Sequence, residues 1–133
     1  MSDAADDTER EAIREAKRER LRDRATSPDE PVHVESTAHF EELVSDNRLV
    51  LVDCYADWCG PCKMLAPTVE AIAAETAAVV AKVDVDEHQD VAQRHGVRGI
   101  PALFLYVDGE VVERLVGVQD EATLRDLIAE HEA

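Results

Sequence analysis

The chain is short of cysteine, aromatic residues and long apolar runs, and each shortage limits what it can be. Its three cysteines include one Cys-x-x-Cys pair, and no second such pair is present to complete a four-cysteine zinc site. Aromatic residues make up 4% of the chain, so a core must consist mainly of Val, Ala and Leu. No apolar run approaches the roughly 20 residues of a membrane-spanning helix. We therefore expect one globular domain with a tail, without a metal and without membrane insertion.

Basic residues are scarce beyond the first 24 positions. Residues 1–24 hold seven Lys/Arg and eight Asp/Glu, so their net charge is -1. Residues 25–133 hold the other seven Lys/Arg and 22 Asp/Glu, so they carry -15 of the total net charge of -16. An acidic domain with so few lysines indicates a protein that stays hydrated in concentrated salt, as in halophiles. The alternative is an acidic surface that steers basic partners. Both interpretations argue against nucleic-acid binding.

The N-terminal region is expected to be separate from the domain. Its first residues, MSDAADDTER, lack the basic start and apolar segment of a secretory signal, so a cytoplasmic protein is expected. Residues 7–24 favour a helix that is polar on all sides, and such a segment is exposed or disordered. The stretch ATSPDEP, residues 25–31, is typical of a linker. We therefore predict a charged extension over residues 1–31 and a domain over residues 32–133.

After residue 31, strand-like and helix-like segments alternate. The run RLVLVDCYA is almost continuously apolar, as in a central strand covered on both faces. A helix N-cap is expected at Ser36 or Thr37, a helix kink at Pro67, and a hairpin turn at Asp108-Gly109. The predicted order βαβαβαββα indicates an α/β fold with a mixed central sheet and helices on both faces.

The stretch DCYADWCGPCK, residues 53–63, carries the Cys-x-x-Cys pair, which is a redox pair, half of a metal site or an accident of spacing. A thiol attacks a disulfide only as thiolate, and a free cysteine is only about 3% ionised near pH 7. Cys59 lies where a strand ends and a helix begins, so the helix dipole and free N–H groups can stabilise its anion. Cys62, one turn later and less exposed, can resolve the resulting mixed disulfide.

Neighbouring residues fit this chemistry. Gly60 and Pro61 keep the turn between the cysteines small and stiff. Asp53 is the candidate base for Cys62, because burial should raise its pKa toward neutrality; a structural, hydrogen-bonded aspartate is the alternative. Cys54 is expected to be a small buried apolar residue, and the five histidines form no motif and are expected on the surface.

Several stretches, in order along the chain, carry a family resemblance. WCGPC, within VLVDCYADWCGPCKMLAP, is similar to the active-site motif of the thioredoxin family. AKVDVDE, HGVRGIPAL and DGEVVERLVG resemble the family's third strand, its cis-proline loop and its terminal hairpin. The resemblance covers residues 32–133 and implies the thioredoxin fold. It departs at Cys54, where the family usually has an aromatic residue, and in residues 1–31, which have no counterpart in the minimal fold.

The resemblance implies roles for further residues. The aspartate that matches Asp53 lies beneath the cysteines and acts on the resolving thiol through water. Lys82 matches a lysine that can tune this aspartate, although a strand-end lysine reaching solvent is the alternative. Pro101 should be cis and lie against the cysteines, while Gly117 belongs to the substrate surface or is an ordinary strand-end glycine. The expected substrate-binding residues are Trp58, Gly60, Pro61, Ile100, Pro101 and Gly117.

The function implied is protein disulfide reduction by the Cys59/Cys62 dithiol, without a bound cofactor. The implied partners are oxidised proteins and a thioredoxin reductase, either NADPH-flavin or ferredoxin-linked, and we expect a monomer. The alternative is a binding module that uses the same fold as a scaffold and docks a partner through residues 1–31.

Overall fold

The structure, a computed structural model, describes residues 29–132. Its centre is a five-stranded sheet in the order β1-β3-β2-β4-β5, in which β1, β3 and β2 are parallel and β4 and β5 are antiparallel to their neighbours. The predicted order βαβαβαββα is confirmed. The elements are β1 (Val32–His33), α1 (Thr37–Asp46), β2 (Leu49–Tyr55), α2 (Gly60–Glu75), β3 (Val79–Asp84), α3 (Gln89–Arg94), β4 (Ala102–Val107), β5 (Glu110–Val116) and α4 (Glu121–Glu130).

The two faces of the sheet are covered by different helices, because side chains alternate along each strand. On one face, Val50 and Val52 of β2 pack with Phe40 of α1 and Val91 of α3. On the other, Leu51 packs in the cluster that α2 and α4 provide through Leu65, Val69, Ile72, Leu124 and Ile128. Strand β2 is therefore covered on both sides, as its continuous apolar run predicts.

Local signals place the helix starts and turns. The Ser36 side chain accepts a hydrogen bond of 3.0 Å from the His39 N–H and caps α1, so the predicted N-cap is confirmed. Helix α2 continues through Pro67. The β4–β5 hairpin turns at Asp108 and Gly109, both at positive φ (51° and 81°), as an Asp-Gly turn requires.

The predicted extension falls almost wholly outside the described residues. The helix over residues 7–24 and the linker up to residue 28 lie there, so the domain boundary at residue 31 stays a prediction. Within residues 29–132, no helix has the length and apolar content needed to cross a membrane.

Two histidines contradict the expectation of a surface location. His88 and His95 are buried, with 9% and 7% of their surface exposed. The ring of His95 lies among Phe40, Phe104 and Tyr106. Its Nδ1 is 2.7 Å from the Val91 carbonyl, so Nδ1 donates there and Nε2 accepts from the Tyr106 hydroxyl. Both ring nitrogens are thus satisfied by a neutral imidazole.

We predict that this pair makes stability depend on pH. Burial lowers the pKa of His95 below its ordinary value of 6.5, because imidazolium is poorly solvated there. The unfolded chain therefore binds the proton more readily, so the contribution of His95 is complete above pH 6.5 and is lost as the pH falls through the window below it.

Urea unfolding at about pH 8 and about pH 5 measures this effect. The variant His95→Phe/Tyr106→Phe, which removes both polar groups, should lose less stability on acidification than the native chain. His33→Gln, at an exposed histidine, is the matched control and should behave like the native chain. An equal acid-induced loss in the double variant would contradict the prediction.

Candidate active site

The two cysteines lie at the junction between β2 and α2. Cys59 is the N-cap of α2, its Sγ accepts a hydrogen bond of 3.2 Å from the Cys62 N–H, and the pair forms a disulfide with Cα atoms 5.3 Å apart. A sulfur at this position meets the unpaired N–H groups and the positive end of the helix dipole. The local backbone thus favours a thiolate at Cys59 when the pair is reduced.

The expectation that Cys62 is less exposed than Cys59 is wrong for this disulfide form. Cys59 is 4% exposed and Cys62 is 7% exposed. Both pack with Ala56, Tyr55 and Ile100 in a small cluster of their own. Val85, which follows β3, packs against the same cluster, so residues from three parts of the chain cover the disulfide.

The loop at residues 99–101 lies against the disulfide. The Ile100–Pro101 peptide bond is cis, which confirms that expectation. The Ile100 carbonyl oxygen is 3.9 Å from Cys59 Sγ, and the Pro101 carbonyl accepts a 2.8 Å hydrogen bond from the Gly117 N–H. The structure therefore brings Ile100, Pro101 and Gly117 together beside Cys59.

The residues between and before the cysteines face solvent. Gly60 and Pro61 are the first two residues of α2, and both are exposed. The Trp58 side chain is 70% exposed. The Trp58 indole N–H donates a 2.8 Å hydrogen bond to the Asp86 carboxylate. Sequence reasoning missed Asp86, which lies in the stretch AKVDVDE that the resemblance assigned to the third strand.

Three large apolar side chains in these stretches are exposed. Trp58 precedes Cys59 and Met64 lies in the first turns of α2, each about 70% exposed, and Val116 at the end of β5 is exposed to a similar extent. Val116 lies next to Gly99 of the cis-proline loop, where an added Cβ would be 3.5 Å from its Cγ1. Met64 and Val116 were not predicted as site residues, although both lie within the stretches that carry the family resemblance.

Asp53 lies in the core, on the face of the sheet that α2 covers. It is 2% exposed, and its Oδ1 has no hydrogen-bond partner among residues 29–132. Burial raises its pKa to about 6, and the positive charge of Lys82 opposes that rise.

Lys82 is the neighbour of Asp53 on the adjacent strand. The two residues are paired in the β2–β3 register. Lys82 also lines a cavity of about 140 Å³ together with Cys62, Tyr55 and Lys63. Its ammonium is 4.5 Å from the centroid of the Tyr55 ring, so the side chain is not simply directed into solvent.

The remaining candidate groups lie away from the dithiol. Cys54 is fully buried on the opposite face of β2, and burial raises the pKa of its thiol to about 12. Within residues 29–132, the side chains of Glu113, Glu130 and His131 bring three metal-ligating atoms within 4.8 Å of one another. The 3.6 Å distance from His131 Nε2 to Glu113 Oε1 fits an ion pair when the histidine is protonated.

Comparison with known proteins places this site in a family. The family model described as Thioredoxin matches residues 31–130. The chain belongs to the thioredoxin family. It is 44% identical over 101 residues to the thioredoxin of Chlamydia caviae, covering 75% of this chain and 98% of that protein.

Two further relatives bear on fold and partner. A solved mutant thioredoxin from Halobacterium salinarum has a TM-score of 0.78 and 54% identity, covering 80% of this chain and 94% of that one. A bifunctional thioredoxin reductase/thioredoxin of Mycobacterium leprae is 43% identical over 99 residues, which are 72% of this chain and 22% of that protein. The fold is the thioredoxin fold, and the adjacent dithiol makes the chain a protein thiol–disulfide oxidoreductase.

We predict that the buried Asp53 carboxyl lowers stability at neutral pH. Its folded pKa of about 6 exceeds its ordinary value of 3.8, so the unfolded chain releases this proton first and stability falls as the pH rises between these values. The difference corresponds to about 3 kcal/mol once both states are ionised. Asp53→Asn should therefore be more stable than the native chain by about 2–3 kcal/mol at about pH 8, and nearly equal to it at about pH 4.

Urea unfolding of the oxidised proteins at both pH values measures the difference. Asp57→Asn is the control, because Asp57 is exposed and four residues along the same stretch. A gain for Asp53→Asn that is the same at both pH values would show that ionisation is not the cause.

Proposed function

We propose that the reduced chain transfers two electrons from Cys59 and Cys62 to disulfides of oxidised proteins, with Cys59 as nucleophile. The observation that carries this assignment is the hydrogen bond from the Cys62 N–H to Cys59 Sγ at the N-cap of α2. The helix supports negative charge at Cys59, and Cys62 has no such cap.

The first step forms a mixed disulfide. The Cys59 thiolate attacks one sulfur of the substrate disulfide, the substrate S–S bond breaks, and its second sulfur leaves as a thiolate that takes up a proton. Cys62 then attacks Cys59 Sγ, closes the disulfide and releases the other substrate thiol. Two electrons and two protons pass to the substrate, so the products balance.

Asp53 is proposed as the group that takes the Cys62 proton during the second step. A carboxyl with a pKa of about 6 is mostly ionised at neutral pH and can still be protonated transiently, which suits a general base. Lys82 is proposed to tune this exchange, because it pairs with Asp53 in register and lines the same cavity as Cys62. Water entering that cavity would carry the proton between the two groups.

The substrate is proposed to bind across the cis-proline loop as an extended segment. Ile100 would offer backbone hydrogen bonds to this segment, while Trp58 and the surface near Gly117 would contact its apolar side chains. Gly60 and Pro61 would leave the disulfide accessible to the substrate, since neither has a large side chain. Pro101 is proposed to form part of the same surface, because it follows Ile100 in the loop beside Cys59.

The partners follow from this chemistry. Oxidation of Cys59 and Cys62 requires a reductase to return the electrons, and the Mycobacterium leprae relative is named as a reductase and a thioredoxin in one chain. We propose a separate thioredoxin reductase, oxidised protein substrates, a monomeric state and a cytoplasmic location. Reconstitution with an NADPH-flavin reductase and with a ferredoxin-linked reductase would show which of the two reduces the Cys59–Cys62 disulfide.

Each cysteine should fail in its own way when it is replaced. Cys59→Ser should abolish insulin disulfide reduction with dithiothreitol as electron source, because no thiolate attacks. Cys62→Ser should attack but not resolve, so it should accumulate a covalent adduct with insulin, visible by mass spectrometry and released by excess dithiothreitol.

Cys54→Ser is the matched control, since Cys54 is the third cysteine and faces the opposite side of β2. It should keep turnover and form no adduct. Full turnover by Cys62→Ser would rule out the two-cysteine mechanism, and no reduction by the folded native chain would favour the scaffold alternative.

The acidic domain is proposed to be adapted to high salt, with residues 1–31 as an accessory extension. A net charge of -15 over residues 25–133 repels itself in dilute buffer, and salt screens that repulsion. The solved relative at 54% identity comes from a halophile, which supports this interpretation.

Salt should therefore raise the thermal midpoint of the domain, with or without the extension. We expect a chain beginning at residue 29 to reduce insulin as fast as the full chain, and both to gain several degrees between low and molar KCl. Sucrose at matched osmolality is the control, because it does not screen charge. A midpoint independent of KCl would contradict the adaptation, and lost reduction on truncation would make the extension part of the site.

A further inference from the structure

Tyr55 ends strand β2 and contacts several parts of the proposed machinery. It lies two residues after Asp53, so the two side chains project to the same face of the sheet. Its ring packs against the cluster of Ala56, Cys59 and Cys62. It is half-buried and lines the cavity of about 140 Å³ that Cys62 and Lys82 share.

The face of the Tyr55 ring is occupied by a cation. Lys82 Nζ lies 4.5 Å from the ring centroid, within the range of a cation–π contact. Lys82 starts from the position opposite Asp53 on β3, and its side chain reaches over Tyr55 further along β2. The ring therefore fixes where the ammonium lies relative to Asp53.

Lys82 has a competing environment on its other side. A second cavity, of about 430 Å³, is lined by Lys82 and His33 together with three carboxylates, Asp29, Glu30 and Glu70. These carboxylates offer the ammonium an alternative position toward β1, at the edge of the sheet. A cation–π contact of ordinary strength changes the population ratio between the two positions of the ammonium by roughly two- to fivefold.

We propose that Tyr55 is a positioning residue for Lys82: its ring keeps the ammonium near Asp53 and Cys62, against the pull of the carboxylates at the β1 edge of the sheet. The inference rests on the proposed roles of Asp53 and Lys82, and it adds a residue that acts through Lys82 without touching the substrate.

The other charges near this group are compatible with the arrangement. The pKa of the Tyr55 hydroxyl is raised by burial first and then by nearby carboxylates, so the phenol stays neutral. The His33 ring meets the Tyr55 ring edge-on, with centroids 6.5 Å apart. The charged and titratable groups around Tyr55 and Lys82 are Asp53, Asp57, Lys63, Asp84 and Glu87 on the site side, and His33, Asp29, Glu30 and Glu70 on the outer side.

The test measures the pKa of Asp53 in the folded oxidised protein by NMR of its side-chain carboxyl carbon. Tyr55→Leu removes the ring, lets Lys82 move outward, and should raise the Asp53 pKa by roughly half a unit. Tyr55→Phe keeps the ring face and should leave the Asp53 pKa unchanged. Lys82→Met should raise it by roughly one unit, and Tyr55→Leu added to Lys82→Met should cause no further rise.

Two outcomes would overturn the inference: no change in Tyr55→Leu, or an equal additional rise in the Lys82→Met background, since the ring would then act on Asp53 by burial alone. If Tyr55→Leu does not fold, the native chain still decides. The ε-methylene protons of Lys82 should be shifted upfield by the ring, and shifts typical of a solvated lysine would refute the contact.

Failure of the proposed function would look different. If Asp53 is not the base for Cys62, Asp53→Asn keeps native turnover across the pH range. The NMR titration of Asp53 in the Tyr55 variants is independent of turnover, so it tests the positioning role in either case.

Discussion

The rest of the structure depends on the burial of its central strand, β2. Strand β2 is covered on both faces, and that burial is what aligns its end with the start of α2 and sets Cys59 at the helix N-terminus. The same burial encloses Asp53 without a partner for Oδ1 among the described residues. Burial of a carboxyl without such a partner costs free energy, and it raises the pKa of Asp53 to about 6.

The cover over the disulfide has a second consequence. In the disulfide form Cys59 and Cys62 are both nearly buried, so groups of the protein surround both sulfurs. These groups differ between the two: the Cys62 N–H and the helix dipole lie at Cys59, whereas Cys62 lines a cavity with Lys82, the register partner of Asp53. Two chemically identical side chains, three residues apart, thereby acquire different environments from one helix start.

The features that were predictable from sequence are those encoded by neighbouring residues. Apolar periodicity and turn signals such as Asp108-Gly109 identify every described element in order, and the cis peptide before Pro101 follows from family resemblance. The features that were missed involve distant partners. His95 is buried against Tyr106, eleven residues later, whose hydroxyl donates to its Nε2, and Trp58 is held by Asp86, 28 residues away. No local pattern contains such pairs, because the sheet register brings them together.

The scarcity of lysine takes on a specific meaning in the folded domain. Lys63 and Lys82 are the only lysines in residues 32–133, and both line the cavity that Cys62 lines. Arginine is spread elsewhere, for instance in ion pairs of Arg94 with Glu41 and Arg125 with Glu75. High salt weakens long-range attraction between exposed charges but screens a partly buried contact much less. An acidic surface can therefore serve solubility while positive charges held close to Cys62 keep their effect, and the contact between Lys82 and the Tyr55 ring is of this short-range kind.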